Sequence, residues 1–121
     1  MKKIKVAVDD SALIKQLHSV LNPMGYTLEM LEMNQHIADS DFSETHLIVL
    51  DPHLGDTGIV FGLVDTLKSR SATSQIPILL CTHQENDDSI VDALSAGAND
   101  FILLPIPSHV LLLRVKSLLN K

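Results

Sequence analysis

With 121 residues, 45% of them hydrophobic and 20% charged, the chain has the size and composition of one globular domain, spanning 1–121, that needs no cross-links. Its net charge is −6 and its Lys and Arg residues are scattered, which excludes direct binding to nucleic acid through a basic stripe. Cys81 is the only cysteine, so no internal disulfide forms; with no signal-peptide core after Met1-Lys2-Lys3 and no apolar run of membrane-spanning length, a cytoplasmic, membrane-free protein is expected.

Ile4 to Val8 reads as the first strand. Asp9-Asp10-Ser11 ends it and starts a helix, with Asp10 or Ser11 as N-cap. Apolar residues at 13, 14, 17, 20 and 21 make a helical stripe over Ala12 to Leu21. Asn22-Pro23-Met24-Gly25 stops that helix, because Pro cannot continue it and Gly suits the left-handed exit. Tyr26 to Met30 alternates weakly, as an edge strand does. Asn34 to Ser43 reads as one short helix and a loop. Leu47 to Asp51 is a buried central strand. Thr57 to Ser69 follows as a helix with Ile59, Val60, Leu63, Val64 and Leu67 on its inner side, and Ser71 to Gln75 as a polar loop. Ile76 to Cys81 is another buried strand, with Pro77 tolerated at its start. Asp87 to Ala96 is a helix closed by Gly97, and Asp100 to Leu103 a short last strand. Leu104-Pro105-Ile106-Pro107 breaks the chain, and Ser108 caps a final helix from His109 to Asn120. Five strands alternating with five helices predict a parallel sheet with right-handed crossovers and helices on both faces.

The chemistry gathers where strands end in acids. Leu47-Ile48-Val49-Leu50 stops at Asp51, with Pro52, Gly55, Asp56 and Gly58 close behind, so Asp51 belongs at the C-terminal mouth of the sheet. A lone strand-end Asp is usually a turn residue. Here Lys5 to Val8 ends in Asp9-Asp10 as well, and neighbouring strands would bring these acids together. Like charges that close call for a cation, most simply Mg²⁺ on oxygen ligands.

These marks, in this order, resemble a receiver domain of the two-component response regulators. The resemblance spans nearly all of the chain. It rests on Val8-Asp9-Asp10-Ser11, Asp51, Thr82 after the fourth strand, Gly97-Ala98-Asn99-Asp100-Phe101, and the Pro-bounded loop. The final helix, through Leu111-Leu112-Leu113-Arg114-Val115, resembles the last helix of receivers that precede an output domain. No single mark is specific; together and at this spacing they are strong. The resemblance implies a flavodoxin-like (CheY-like) five-stranded sheet. It implies Asp51 as phospho-acceptor and Mg²⁺ held by Asp9, Asp10, Asp51 and the main-chain carbonyl of His53. It implies Thr82 as the hydroxyl that meets the phosphoryl group, and Phe101 as the switch aromatic. The implied partner is a sensor histidine kinase or a phosphotransfer protein. A C-terminal output domain, or a homodimer through the last two helices, would be the further contact. Such a domain is no enzyme beyond its own phosphorylation and dephosphorylation. The family also implies a cis Leu104-Pro105 peptide.

Three positions depart from that pattern. Receivers carry a Lys before the Pro of the last loop, and Leu104 stands there, without charge or hydrogen bond. The residue after Thr82 is usually small, whereas His83 would crowd the mouth. The loop from Pro52 to Gly58 is one residue short of the common form, which would shift the His53 carbonyl. A softer metal on His53 and His83 is disfavoured against two plain loop histidines. His18, His36, His46 and His109 share no spacing and read as surface residues. Surplus apolar residues on the last helix, Val110 and Leu113 among them, predict either an exposed patch or a fully buried helix.

The leading reading is an atypical receiver accepting a phosphoryl group on Asp51. The alternative is a degenerate pseudo-receiver that binds partners independently of phosphorylation. A haloacid-dehalogenase-type phosphatase needs an acid two residues after its nucleophile, where His53 stands. A dinucleotide enzyme needs a G-x-G-x-x-G after the first strand, and none is present.

Overall fold

The structure is a computed structural model, and it describes residues 2–32, 34, 36–54, 59–84 and 88–120. The strands are β1 (Lys2–Ala7), β2 (Tyr26–Met30), β3 (Thr45–Leu50), β4 (Ile78–Thr82) and β5 (Asp100–Leu103). The helices are α1 (Ser11–Leu21), α2 (Ile59–Ser69), α3 (Asp88–Ala96) and α4 (Ser108–Leu119). The strands pair in parallel in the order β2-β1-β3-β4-β5. The order turns back on itself at β1, so a crevice opens between the C-terminal ends of β1 and β3.

Period-two alternation divides the apolar strand residues between two cores. Ile4, Val6, Val8, Leu47, Val49, Leu79, Cys81 and Ile102 point to one face. There α1 lays down Leu13, Leu17 and Leu21, and α4 lays down Leu111, Val115 and Leu118. Ala7, Ile48, Leu50, Ile78 and Leu80 point to the other, against Val60, Leu63, Val64 and Leu67 of α2 and Ala93 of α3. Strands covered on both faces must be apolar throughout, which is why β3 and β4 are buried along nearly their whole length.

The expected architecture holds, with one correction to its helix count. Among the described residues there are four α-helices, not five. The segment Asn34 to Ser43 forms only a 3₁₀ turn at Ile37–Asp39. It buries just Ile37 and Phe42, a spacing that gives no helical stripe. The Asn34 and Asp41 side chains also accept from the backbone N–H groups of His36 (2.8 Å) and Ser43 (2.9 Å). Such local bonds offer the chain a turn in place of a helix. The cover over this end of the sheet is partly ionic: Lys5, buried in β1, donates to Glu29 of β2, and Lys3 lies 3.4 Å from the same carboxylate.

A second correction concerns the last helix. Its N-cap is Pro107, which makes no side-chain cap bond, and Ser108 is already helical. The Gln16 amide of α1 instead reaches across to the Ile106 carbonyl (2.6 Å) and the Ser108 hydroxyl (3.2 Å). Of the surplus apolar residues, Val110 packs on the core and Leu113 stands 65% exposed. Gly97 closes α3 with φ +124°, and a Cβ there would meet Lys68 at 2.8 Å, so the position admits only glycine.

Candidate functional site at the β1/β3 mouth

Asp51 leaves β3 with its backbone still in the ladder: its N–H donates to the Ala7 carbonyl of β1 at 3.0 Å. Its side chain, half-buried, accepts the His53 N–H at 2.8 Å. That bond closes a tight turn and holds one carboxylate oxygen toward the loop, as Asx turns do.

Beside it, β1 runs out into Asp9 and Asp10. Asp9 is exposed. Asp10 is the N-cap of α1: its Oδ1 accepts the Leu13 N–H at 3.0 Å and its carbonyl accepts the Ile14 N–H at 3.0 Å. Its Oδ2 lies 2.6 Å from Nε2 of His83. The Leu13 amide first, and His83 second, hold the Asp10 carboxyl below the usual aspartate range.

On the far side β4 ends at Thr82, which is 2% exposed. Its hydroxyl oxygen accepts the Gln84 N–H at 3.1 Å, and its carbonyl accepts the Leu104 N–H at 2.7 Å. Leu104 is therefore tied to the end of β4 through its backbone. It is 8% exposed and packs with Ile106 and Leu111 in the α1/α4 core. The Leu104-Pro105 peptide is cis, as expected. Phe101 on β5 is 36% exposed, on the outward side of a strand that buries Ile102. Below the mouth, Cys81 is buried, and its thiol is pushed far up by burial and then by the charges of Asp51, Asp10 and Asp100. Three acids from different parts of the sheet thus act on one buried group.

Asp9, Asp10, Asp51 and Thr82 are brought to one edge by the order β1-β3-β4. Among the described residues, no three His, Cys, Asp or Glu side chains stand grouped as a cation site. The donor chemistry nonetheless fits a hard divalent ion, since carboxylates and a main-chain carbonyl are what such ions take. Both carboxylate oxygens of Asp10 are already engaged, one by the Leu13 amide and one by His83. The shortened loop after Asp51 falls largely on residues 55–58, outside the described residues.

Sequence reasoning placed His83 at the mouth but missed its bond to Asp10. The two lie 73 positions apart, and only the strand order makes them neighbours. The Gln16 link to Ile106 left no local signal either.

The family model described as "Response regulator receiver domain" matches residues 4–116. The chain belongs to this receiver family. It is 34% identical over 122 residues to the phosphate regulon transcriptional regulatory protein PhoB of Pseudomonas aeruginosa, covering 98% of this chain and 52% of PhoB. It is 31% identical over 121 residues to protein RcaC of Microchaete diplosiphon, covering 98% of this chain and 18% of RcaC. The receiver thus spans about half, or less, of the curated relatives it matches. Among solved structures, it is similar to a two-component response regulator from Clostridium difficile, with TM-score 0.78, 25% identity and coverage of 100% and 98% of the two chains. The receiver domain of a signal transduction histidine kinase from Syntrophus aciditrophicus matches with TM-score 0.73, 29% identity and coverage of 99% and 91%. Among the described residues, no helix of the receiver is long and apolar enough to cross a membrane.

Proposed function

We propose that the chain is one phosphoryl-accepting receiver domain, with Asp51 as the acceptor. The observation that carries this reading is Asp51 at the β1/β3 switch point, with Asp10 of the adjoining strand end beside it. An oxygen of the Asp51 carboxylate attacks the phosphorus of a phosphohistidine. The P–N bond breaks, the imidazole leaves with the electron pair, and an aspartyl phosphate forms. Asp9, Asp10, Asp51 and the His53 carbonyl would hold Mg²⁺, which when bound neutralises charge on the transferring phosphoryl group. Thr82 donates its hydroxyl to a phosphoryl oxygen. Phe101, outward here, is the aromatic that turns inward when Thr82 moves. The domain turns over no substrate of its own beyond its phosphorylation and dephosphorylation, and it works in the cytoplasm.

The donor is a sensor histidine kinase or a phosphotransfer protein. The surface bearing Leu113 suits a homodimer or an output domain. Leu104 favours the second reading, a pseudo-receiver that no longer switches: where receivers place a lysine, it supplies a buried apolar side chain. Missing lysine charge removes a partner for the phosphoryl group more than it removes the nucleophile, so uptake survives and readout weakens.

Intact-mass spectrometry after incubation with acetyl phosphate and Mg²⁺ tests this. The expected result is one added phosphoryl group on the wild type and none on Asp51→Asn. No adduct on a wild type that binds Mg²⁺ would overturn phosphoryl acceptance and leave the pseudo-receiver.

A further inference from the structure

Asp10 has two carboxylate oxygens and three groups that want them. Oδ1 is committed to the Leu13 amide, and releasing it would uncap α1. Oδ2 is therefore the oxygen left for a cation, and the His83 ring lies against it at 2.6 Å. The ring comes from the loop after β4. Its side chain is 58% exposed, against 24% for Asp10. Among the described residues the imidazole is held by this polar contact over a more buried acid, and being exposed it can swing into solvent without breaking the core.

We infer that His83 is a latch on the cation site: its ring occupies the outer oxygen of Asp10 and must move away before that oxygen can bind Mg²⁺. The inference rests on the receiver reading, because it assumes that Asp10 is a metal ligand. A Mg²⁺ ion demands near-octahedral geometry at about 2.1 Å from each oxygen. An N–H donor on the same oxygen draws off its electron density and, through that bond, holds the ring over the ion's approach; without the bond the ring is free to leave. His83 is a positioning residue: it acts through Asp10 and touches no reacting atom.

The test is calorimetric titration of Mg²⁺ alone into the whole chain, for wild type, His83→Ala and His83→Phe. A solvent-exposed hydrogen bond is weak, so its removal tightens Mg²⁺ binding by about two- to fivefold. Both variants should show that gain, because Phe keeps the bulk of the ring and loses only the bond to Asp10. Equal affinity in all three would overturn the latch and leave the receiver reading standing. A gain in Ala but not in Phe would overturn it in favour of crowding. Weaker binding in Ala would make His83 a support for the metal, which is the opposite role. No Mg²⁺ binding by any of the three would overturn the latch together with the metal-dependent reading beneath it. Phosphoryl uptake by intact mass would then show whether Asp51 still accepts.

Discussion

On the α1 side of the mouth, the chain leaves its strand through Asp9 and Asp10, and every polar atom of Asp10 described above has a donor facing it. On the α4 side, it leaves β5 through Leu104, a cis Pro105 and Ile106, and the two apolar side chains sink into the core beside Leu111. One wall is built from hydrogen bonds and charge, the other from packing. A site that binds a phosphoryl group ordinarily surrounds it with cationic partners. Here one wall is acidic and the opposite wall is apolar. The difference teaches that one fold can line the two sides of a single mouth with different chemistry, charge on one and packing on the other.

Breaking the packed wall from beneath has the largest expected effect. Leu111→Ala removes a fully buried side chain that supports Leu104 and Ile106, and about 3 kcal/mol of stability goes with it, read as a lower denaturant midpoint at unchanged slope. Giving the packed wall the chemistry of the other comes next. Leu104→Lys places an ammonium at an 8% exposed position and costs about 2 kcal/mol by the same measurement. Mg²⁺ binding should weaken in this variant, since a cation now faces the acids. Stripping the polar wall is milder. Asp10→Ala removes the α1 cap and costs about 1 kcal/mol. Because the folded pKa of Asp10 is depressed, its contribution is full above the ordinary value of 3.8 and is lost as the pH falls through the folded value. Wild type and Asp10→Ala should therefore converge in acid, and a gap that persists there would assign the loss to something other than the ionised cap. The smallest effect is on stability and the sharpest on reactivity. Cys81, buried under both walls with its thiol pushed up, should resist iodoacetamide at pH 8 in the native chain and react once it is unfolded.

Most of the fold was legible because its signals are local. The apolar runs of β3 and β4, the stripe on α1 and the acid at each strand end all lie within a few positions of what they specify. The crossover from β2 to β3 was not legible, because Asn34 and Asp41 decide its shape through bonds to their own neighbouring amides. The place of Asp10, Asp51 and Thr82 at one edge could be read only through the receiver resemblance, since alternation predicts a parallel sheet without saying which strands are neighbours. Their state could not. Whether Asp10 faces a cation or an imidazole depends on His83, which reaches it only after the strands are laid side by side. Ser108 shows the same limit: a good capping residue was displaced from that duty because Pro107 starts the helix one position earlier.

The missing helix between β2 and β3 has a consequence for how the molecule breathes. Over Lys3 and Lys5 the sheet is closed by side-chain ion pairs and by Ile37 and Phe42, whereas β3 and β4 lie under whole helices. Pairs of that kind do little to hold a strand down. Solvent should therefore reach the amides of β2 long before those of β3, and the domain should open from the edge farthest from β5. Excursions at that edge leave the ladder beneath Asp51 closed, so Asp51 keeps its place while the far end of the sheet comes and goes.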